Sequence, residues 1–239
     1  NKNFLKLLNK TKIAISNDDT RHYLNGIFLH LTEAHGRNFL TGVATDSHRL
    51  SSSSVEVEKA SNFTSLILPR KTVFQLCSLL AESNEKLSMQ TSENKIKFNL
   101  GNIKLISKVI DGKFPDYKKV VPTDNSKCLI VPSKDFINSI ERVASVSLDR
   151  KEGVKLTIKK ENIQLSVNSV SSGEGNEIIK ANFNSDNLNI SFNSKYLIDI
   201  VSEVEDSNLK MNLKDSVSPV LIEDTSDKNS YYVIMPMKI

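Results

Sequence analysis

Cysteine is scarce in this chain. Cys77 and Cys128 are the only two among 239 residues. Neither belongs to a Cys-x-x-Cys pair, so no disulfide framework is written here, and a reducing, cytoplasmic compartment is the expectation. No stretch approaches 18 consecutive apolar residues, which excludes a membrane-spanning helix. The first residue is Asn1. No charged-then-apolar leader follows it, so no signal peptide is expected and the chain reads as a piece of a longer protein.

The usual signatures of catalysis are missing too. There is no Gly-x-x-x-x-Gly-Lys-Ser/Thr loop, no His-Glu-x-x-His, no Gly-x-Ser-x-Gly and no Gly-x-Gly-x-x-Gly. The four histidines, His22, His30, His35 and His48, lack metal-ligand spacing to a cysteine or to one another. No metal or cofactor is expected. Asp46 and His48 stand two apart and would share a face if extended, which leaves an acid/base pair open beside the plainer reading of a polar turn. Asp18 and Asp19 read as a solvated loop.

What is present is an ordinary globular composition, 38% hydrophobic and 25% charged. That is too apolar for a disordered chain. Residues 1–125 hold 18 Lys/Arg against 12 Asp/Glu, a net +6, and residues 126–239 hold 14 against 16, a net −2. The basic excess of the first half favours polyanions weakly and without sequence preference. A polar, Pro-containing stretch at 121–127 separates two apolar segments as a linker does, dividing the chain into 1–122 and 123–239.

Each half carries the same plan. The first opens with a helix over 2–15, in which Phe4, Leu5, Leu8 and Ile15 share one face and Lys2, Lys6 and Lys10 line the other. Strands are expected at 26–32, 39–45 and 65–68. A second helical stripe of Val73, Leu76, Cys77 and Leu80 follows Pro69. A hairpin then turns at Gly101 and Asn102. In the second half, strand 129–131 precedes a helix capped by Ser133 and striped by Phe136, Ile137, Ile140 and Val143. A hairpin turns at Lys160 and Glu161, strand 188–192 leads into a helix over 196–204, and strands at 211–213, 217–222 and 232–235 close the sheet. The halves also align: Gly26, Ile27, Phe28, Leu29 against Gly153, Val154, Lys155, Leu156, and Ser83, Asn84 against Ser207, Asn208. A repeat the size of a whole domain, with two helices too close to strand pairs for a parallel sheet, predicts an α+β fold: two similar domains, each with both helices on one face of antiparallel sheet.

Four segments go further. They are Arg21, His22, Tyr23, Leu24, Asn25, Gly26; then Ala44, Thr45, Asp46, Ser47, His48, Arg49, Leu50; then Asp111, Gly112, Lys113, Phe114, Pro115, Asp116, Tyr117; and Val233, Ile234, Met235, Pro236, Met237, Lys238, Ile239 at the end. In this order and spacing they resemble the bacterial DNA sliding clamp, the beta subunit of DNA polymerase III. The resemblance spans the whole chain and corresponds to the second and third of the family's three domains, with the first absent.

The resemblance implies a non-catalytic processivity factor. Two subunits form a ring that encircles duplex DNA, helices toward the hole and sheets outside, and tether the replicative polymerase. It implies Lys6, Lys10, Arg70 and Lys71 as DNA-facing residues. It implies a peptide pocket, in a cleft between the second and third domains, lined by Arg21, Tyr23, Leu24, Thr45, His48, Arg49, Leu50, Pro115, Val120, Asn193, Tyr196, Val217, Val233, Ile234, Met235, Pro236 and Met237. Replicative polymerase, clamp loader, repair polymerases and mismatch-repair proteins would dock there through short motifs. A homodimer is implied for the full-length protein and a monomer for this chain. Departures from the family pattern are Ser47 at a usual Gly, Pro219 at a usual Ser, Lys119 and Lys238 for arginines, and Lys151 at an often apolar loop position. The alternatives are a non-encircling interaction module of the same fold, or a hydrolase using Asp46 and His48.

Overall fold

The structure, a computed structural model, describes residues 1–58, 63–146, 153–169 and 173–238. Lys151 and Ile239, both named above, lie outside the described residues. Two compact units divide between Asp116 and Tyr117. The sequence break was read a few residues later, at 121–127. Tyr117 opens a short 3-10 turn, Tyr117–Val120, and is itself buried.

In the first unit, α1 (Lys2–Lys12) leads through a 3-10 segment, Asp19–Leu24, to β1 (Gly26–Ala34), β2 (Arg37–Thr45), β3 (Arg49–Val57) and β4 (Leu66–Pro69). Then come α2 (Arg70–Ala81), β5 (Leu87–Thr91), β6 (Lys95–Leu100) and β7 (Ile103–Lys108). The sheets run β3-β2-β1-β4 and β5-β6-β7, antiparallel throughout. Leu7 and Leu8 of α1, Val73 and Leu76 of α2, Ile27, Leu29 and Leu68 of the first sheet and Ile96 and Phe98 of the second share one core. Burying a side chain of this size is worth about 1.5–3 kcal/mol, so the 3.6-residue periodicity of the helices and the alternation of the strands carry most of the stability.

The second unit holds β8 (Lys127–Pro132), α3 (Ser133–Ala144), β9 (Gly153–Ile158), β10 (Asn162–Ser169), β11 (Gly173–Lys180), β12 (Asn182–Phe183) and β13 (Leu188–Asn193). It continues with α4 (Ser194–Val201), β14 (Asn208–Leu213), β15 (Val220–Asp224) and β16 (Ser230–Ile234). Here the order β11-β10-β9-β13 repeats β3-β2-β1-β4, and the run β14-β15-β16 repeats β5-β6-β7. The aligned glycines open equivalent strands: Gly26 stands opposite Pro69, Gly153 opposite Asn193, and Pro69 and Asn193 are the N-cap residues of α2 and α4. A Cβ at Gly26 would lie 2.2 Å from the carbonyl oxygen of Leu68. Only glycine lets the strands meet there.

Several details differ from the sequence reading. α1 stops at Lys12 rather than 15, and α4 runs Ser194–Val201 rather than 196–204. Pro132, not Ser133, is the N-cap of α3; the Ser133 hydroxyl is buried inside the first turn without a hydrogen-bond partner. Val217 precedes β15 in a turn instead of lying on it. β3, β11 and β12 were not anticipated. Lys10 is a correction to the lysine face: it is 1% exposed, because it sits three residues from Leu7 on the packed side of the helix, where its carbonyl accepts the Ser51 hydroxyl at 2.6 Å. The expected hairpin at Gly101 is present, with φ +55° at that glycine.

Candidate functional site

In the first unit the residues gather around the three-residue connection between β2 and β3. Thr45 Oγ1 donates to the carbonyl of Arg49 at 2.7 Å and accepts from the Ser47 amide at 3.1 Å. Asp46 Oδ1 accepts the amides of His48 and Arg49, each at 3.0 Å, and Oδ2 accepts Arg49 Nε at 3.1 Å. The carboxylate is thus committed to closing its own turn. The loop supports the polar-turn reading of Asp46 and gives the acid/base pair no support. Arg49 is 8% exposed and Leu50 2%, while His48 stands out in solvent. Ser47 adopts φ +78°, the left-handed conformation that glycine supplies without strain.

Arg21 reaches this loop from the 3-10 segment. Its Nη1 donates to Ser47 Oγ, and its Nε pairs with Asp18 Oδ2 at 2.9 Å. Hydrogen bonds from Thr20 and then from Arg21 hold the Asp18 carboxyl down at about 2. Tyr23 and Leu24 follow, half-buried and buried. His22 Nε2 lies 3.1 Å from the carbonyl of Asp111, and the Tyr23 Cβ would be 3.1 Å from a Cβ at Gly112. The segment leading to Pro115 is pinned by Phe114, whose ring stacks on Phe28 with centroids 5.0 Å apart and planes 7° off parallel. Pro115 itself is exposed.

In the second unit, Asn193 caps α4, its Oδ1 accepting the Tyr196 amide at 3.1 Å. The segment after β16 is tied to the same strand: the Met237 amide donates to the Ser191 carbonyl at 2.7 Å. Val217 projects from a turn closed by Asp215, which accepts from the amides of Val217 at 2.9 Å and Ser218 at 2.7 Å. Those bonds lower the Asp215 carboxyl below the ordinary range. Val233 and Ile234 are 3% and 0% exposed, whereas Met235 and Met237 are 41% and 36%, with Pro236 half-buried between them. Val120 and Val217 are 53% and 60% exposed.

Of the four cations assigned to DNA, Lys71 is exposed, Lys6 and Arg70 are half-buried and Lys10 is enclosed. The sequence reading missed Lys12 and Phe74. The Phe74 ring is 43% exposed on α2, with Lys12 Nζ 6.0 Å and the Arg70 guanidinium carbon 5.4 Å from its centroid. An aromatic one position past Val73 of the buried stripe was the available signal. Among the described residues no group of three or more His, Cys, Asp or Glu could hold a metal, and no helix is long and apolar enough to cross a membrane.

Residues 1–116 match the family described as DNA polymerase III beta subunit, central domain, and residues 118–238 match its C-terminal domain. The chain belongs to the DNA polymerase III beta subunit family. A beta sliding clamp of Caulobacter vibrioides is 35% identical over 236 residues, covering 98% of this chain and 63% of the relative. The Escherichia coli beta sliding clamp is 32% identical over 234 residues with the same coverages. The chain thus spans just under two thirds of the length of these curated clamps. Among solved clamps, one from Caulobacter crescentus superposes with a TM-score of 0.97 at 34% identity, covering 100% of this chain and 64% of that one. A Bartonella birtlesii sliding clamp bound to griselimycin gives 0.95 at 38% identity, again covering 100% and 64%. The two-unit α+β fold read from the sequence is the fold of these clamps.

Proposed function

We propose that this chain acts as part of a sliding clamp, a non-catalytic processivity factor that surrounds duplex DNA and tethers the replicative polymerase and other partners by short peptide motifs. The observation that carries the peptide-docking part is exposure that packing does not explain. Met235 and Met237 stand open on either side of Pro236, while the preceding Ile234 is wholly buried. Thioethers and valines make an adaptable apolar floor for aliphatic anchors. Asn193 and Tyr196 of the same unit, and Arg21 and His48 of the first unit, supply a few polar groups for orienting a peptide. The Caulobacter crescentus clamp carries polyethylene glycol at a beta-motif tethering region, which agrees with an apolar docking surface in this family.

The DNA part rests on the family and on the basic first unit. Contacts from Arg70, Lys71 and Lys6 to phosphates carry no base information, which sliding requires. For subunit pairing, β11 is an edge strand with Ile178 66% exposed, a surface that another strand could extend. A polypeptide of these 239 residues is expected to be monomeric and to work in the cytoplasm.

The decisive experiment is a titration of a fluorescent Gln-Leu-x-Leu-Phe peptide with the chain and with a version ending at Ile234, which keeps the buried end of β16 and removes the exposed methionines. The expected affinity is about micromolar, about −8 kcal/mol, and is lost on truncation. No binding by the intact chain would overturn the peptide-docking reading.

A further inference from the structure

We infer that Phe74 is a positioning residue for DNA, holding Lys12 and Arg70 as an oriented cation pair that meets the phosphates of a duplex. The inference rests on the clamp reading and adds residues that reading did not contain. Lys12 ends α1 and Arg70 begins α2, so the two charges come from different helices and converge on one ring. Like charges repel, and long basic side chains lose rotamer freedom when fixed. Something must therefore favour the convergence, and the negative face of an aromatic ring does so for cations within about 6 Å.

The choice of an aromatic has a consequence for binding. A carboxylate placed here would orient the same cations and cancel their charge. A phenyl ring orients them and leaves the charge for a polyanion. Among the described residues no carboxylate pairs with Lys12 or Arg70; Lys12 Nζ donates to the neutral Asn9 Oδ1 at 2.6 Å. Lys71 is exposed next along the helix, and α2 has no acidic residue in its first turn. A lone exposed phenylalanine needs no explanation. One with two carboxylate-free cations over it is a device for presenting charge. Prepaying their orientation lowers the cost of each phosphate contact.

The test is binding of a fluorescent duplex of random sequence to the 239-residue chain across a salt series, read by anisotropy. The variants are Lys12→Ala, Arg70→Ala, Phe74→Leu and Phe74→Trp, with melting temperatures as the folding control. Loss of one phosphate contact lowers the slope of log K against log salt by about 0.9, the change expected for Lys12→Ala and Arg70→Ala. Phe74→Leu removes no charge, yet it is expected to weaken binding roughly threefold to fivefold at low salt and to lower the slope by about 1, as for a lost phosphate contact. A merely structural role would not move the slope. Phe74→Trp should restore both, and Phe74→Leu should add nothing in a Lys12→Ala, Arg70→Ala background. If Phe74→Leu binds as the parent does while the two cation variants weaken, the positioning role is overturned and the clamp reading stands. If neither cation variant changes binding, both the inference and the DNA role of this face fall, and the peptide titration judges the docking function separately.

Discussion

The carboxylate of Asp46 is bonded to Arg49 twice over, Oδ1 to its amide at 3.0 Å and Oδ2 to its Nε at 3.1 Å. Their side chains are 13% and 8% exposed. This one residue pair turns the chain from β2 into β3 and fixes where His48 and Leu50 stand. Removing the carboxylate takes away three bonds that close an enclosed turn, one of them half of a buried ion pair, at a cost of about 3 kcal/mol. Asp46→Ala should therefore lower the urea midpoint by that equivalent with an unchanged m-value, and weaken the peptide more than tenfold. Asp46→Asn keeps one acceptor for the amides and should cost less. An Asp46→Ala protein of parental stability would remove the structural role assigned here.

Ser47, in the same turn, sits at φ +78°. A left-handed conformation costs a non-glycine residue about 1–2 kcal/mol. Ser47→Gly releases that strain but loses the bond from Arg21 to the hydroxyl and adds unfolded-state entropy. A net stabilisation of about 0.5 kcal/mol is expected. Ser47→Val, β-branched at positive φ, should destabilise by more than 1 kcal/mol. Thermal melts of the two variants should move in opposite directions; a shared direction would mean the backbone there is relaxed.

The regular elements of this protein were legible because their core residues repeat. Val73, Leu76, Cys77 and Leu80 mark α2, and the Gly101 hairpin announces itself by its turn. The paired Gly26 and Gly153 reveal the duplicated domain. β3 was hidden because Ser51, Ser52 and Ser53, all buried, look like a loop; the packing around them, not their polarity, makes them a strand. β11 was hidden for the opposite reason. None of its described side chains is fully buried, and its pairing with β10 and the bonds from Arg142 of α3 to Glu177 hold it in place. Lys10 was misplaced because an i, i+4, i+8 lysine row resembles a solvated face until one member meets a neighbouring strand. The proposed docking residues come from a resemblance to a known family, and Val120, Asn193, Tyr196 and Val217 lie outside the four segments that carry it. Periodicity alone reveals neither the Asp46 turn nor the cations over Phe74.

Asp18 should make the Arg21 side of the site pH-dependent. Its folded carboxyl titrates at about 2 because Thr20 and Arg21 bond the ionised form, against about 3.9 in an unfolded chain. The folded value is depressed, so its contribution is complete above about pH 4 and is lost as pH falls through about 2. Asp18→Asn should be less stable than the parent at pH 7, with the gap closing between about pH 4 and 2. Carboxyl NMR of the folded chain should place Asp18 well below its solvated neighbours; a value near 3.9 would mean the Arg21 pair does not form in solution.

The end of β16 allows packing and docking to be separated within adjacent residues. Ile234 is 0% exposed and pairs with Val220, whereas Met235 is 41% exposed and Met237 36%. Ile234→Ala opens a cavity in the core and should cost about 2–5 kcal/mol. Met235→Asp and Met237→Asp place a charge where a thioether met solvent, and should leave stability within about 0.5 kcal/mol. If these methionines receive the aliphatic anchors of a partner peptide, each aspartate desolvates on binding and weakens it more than tenfold, about 1.4 kcal/mol or more. Calorimetric melting and peptide anisotropy on the three variants would show the dissociation directly. Aspartates that leave the peptide affinity at the parental value would mean that the exposed methionines are not the docking surface, however well their exposure suits one.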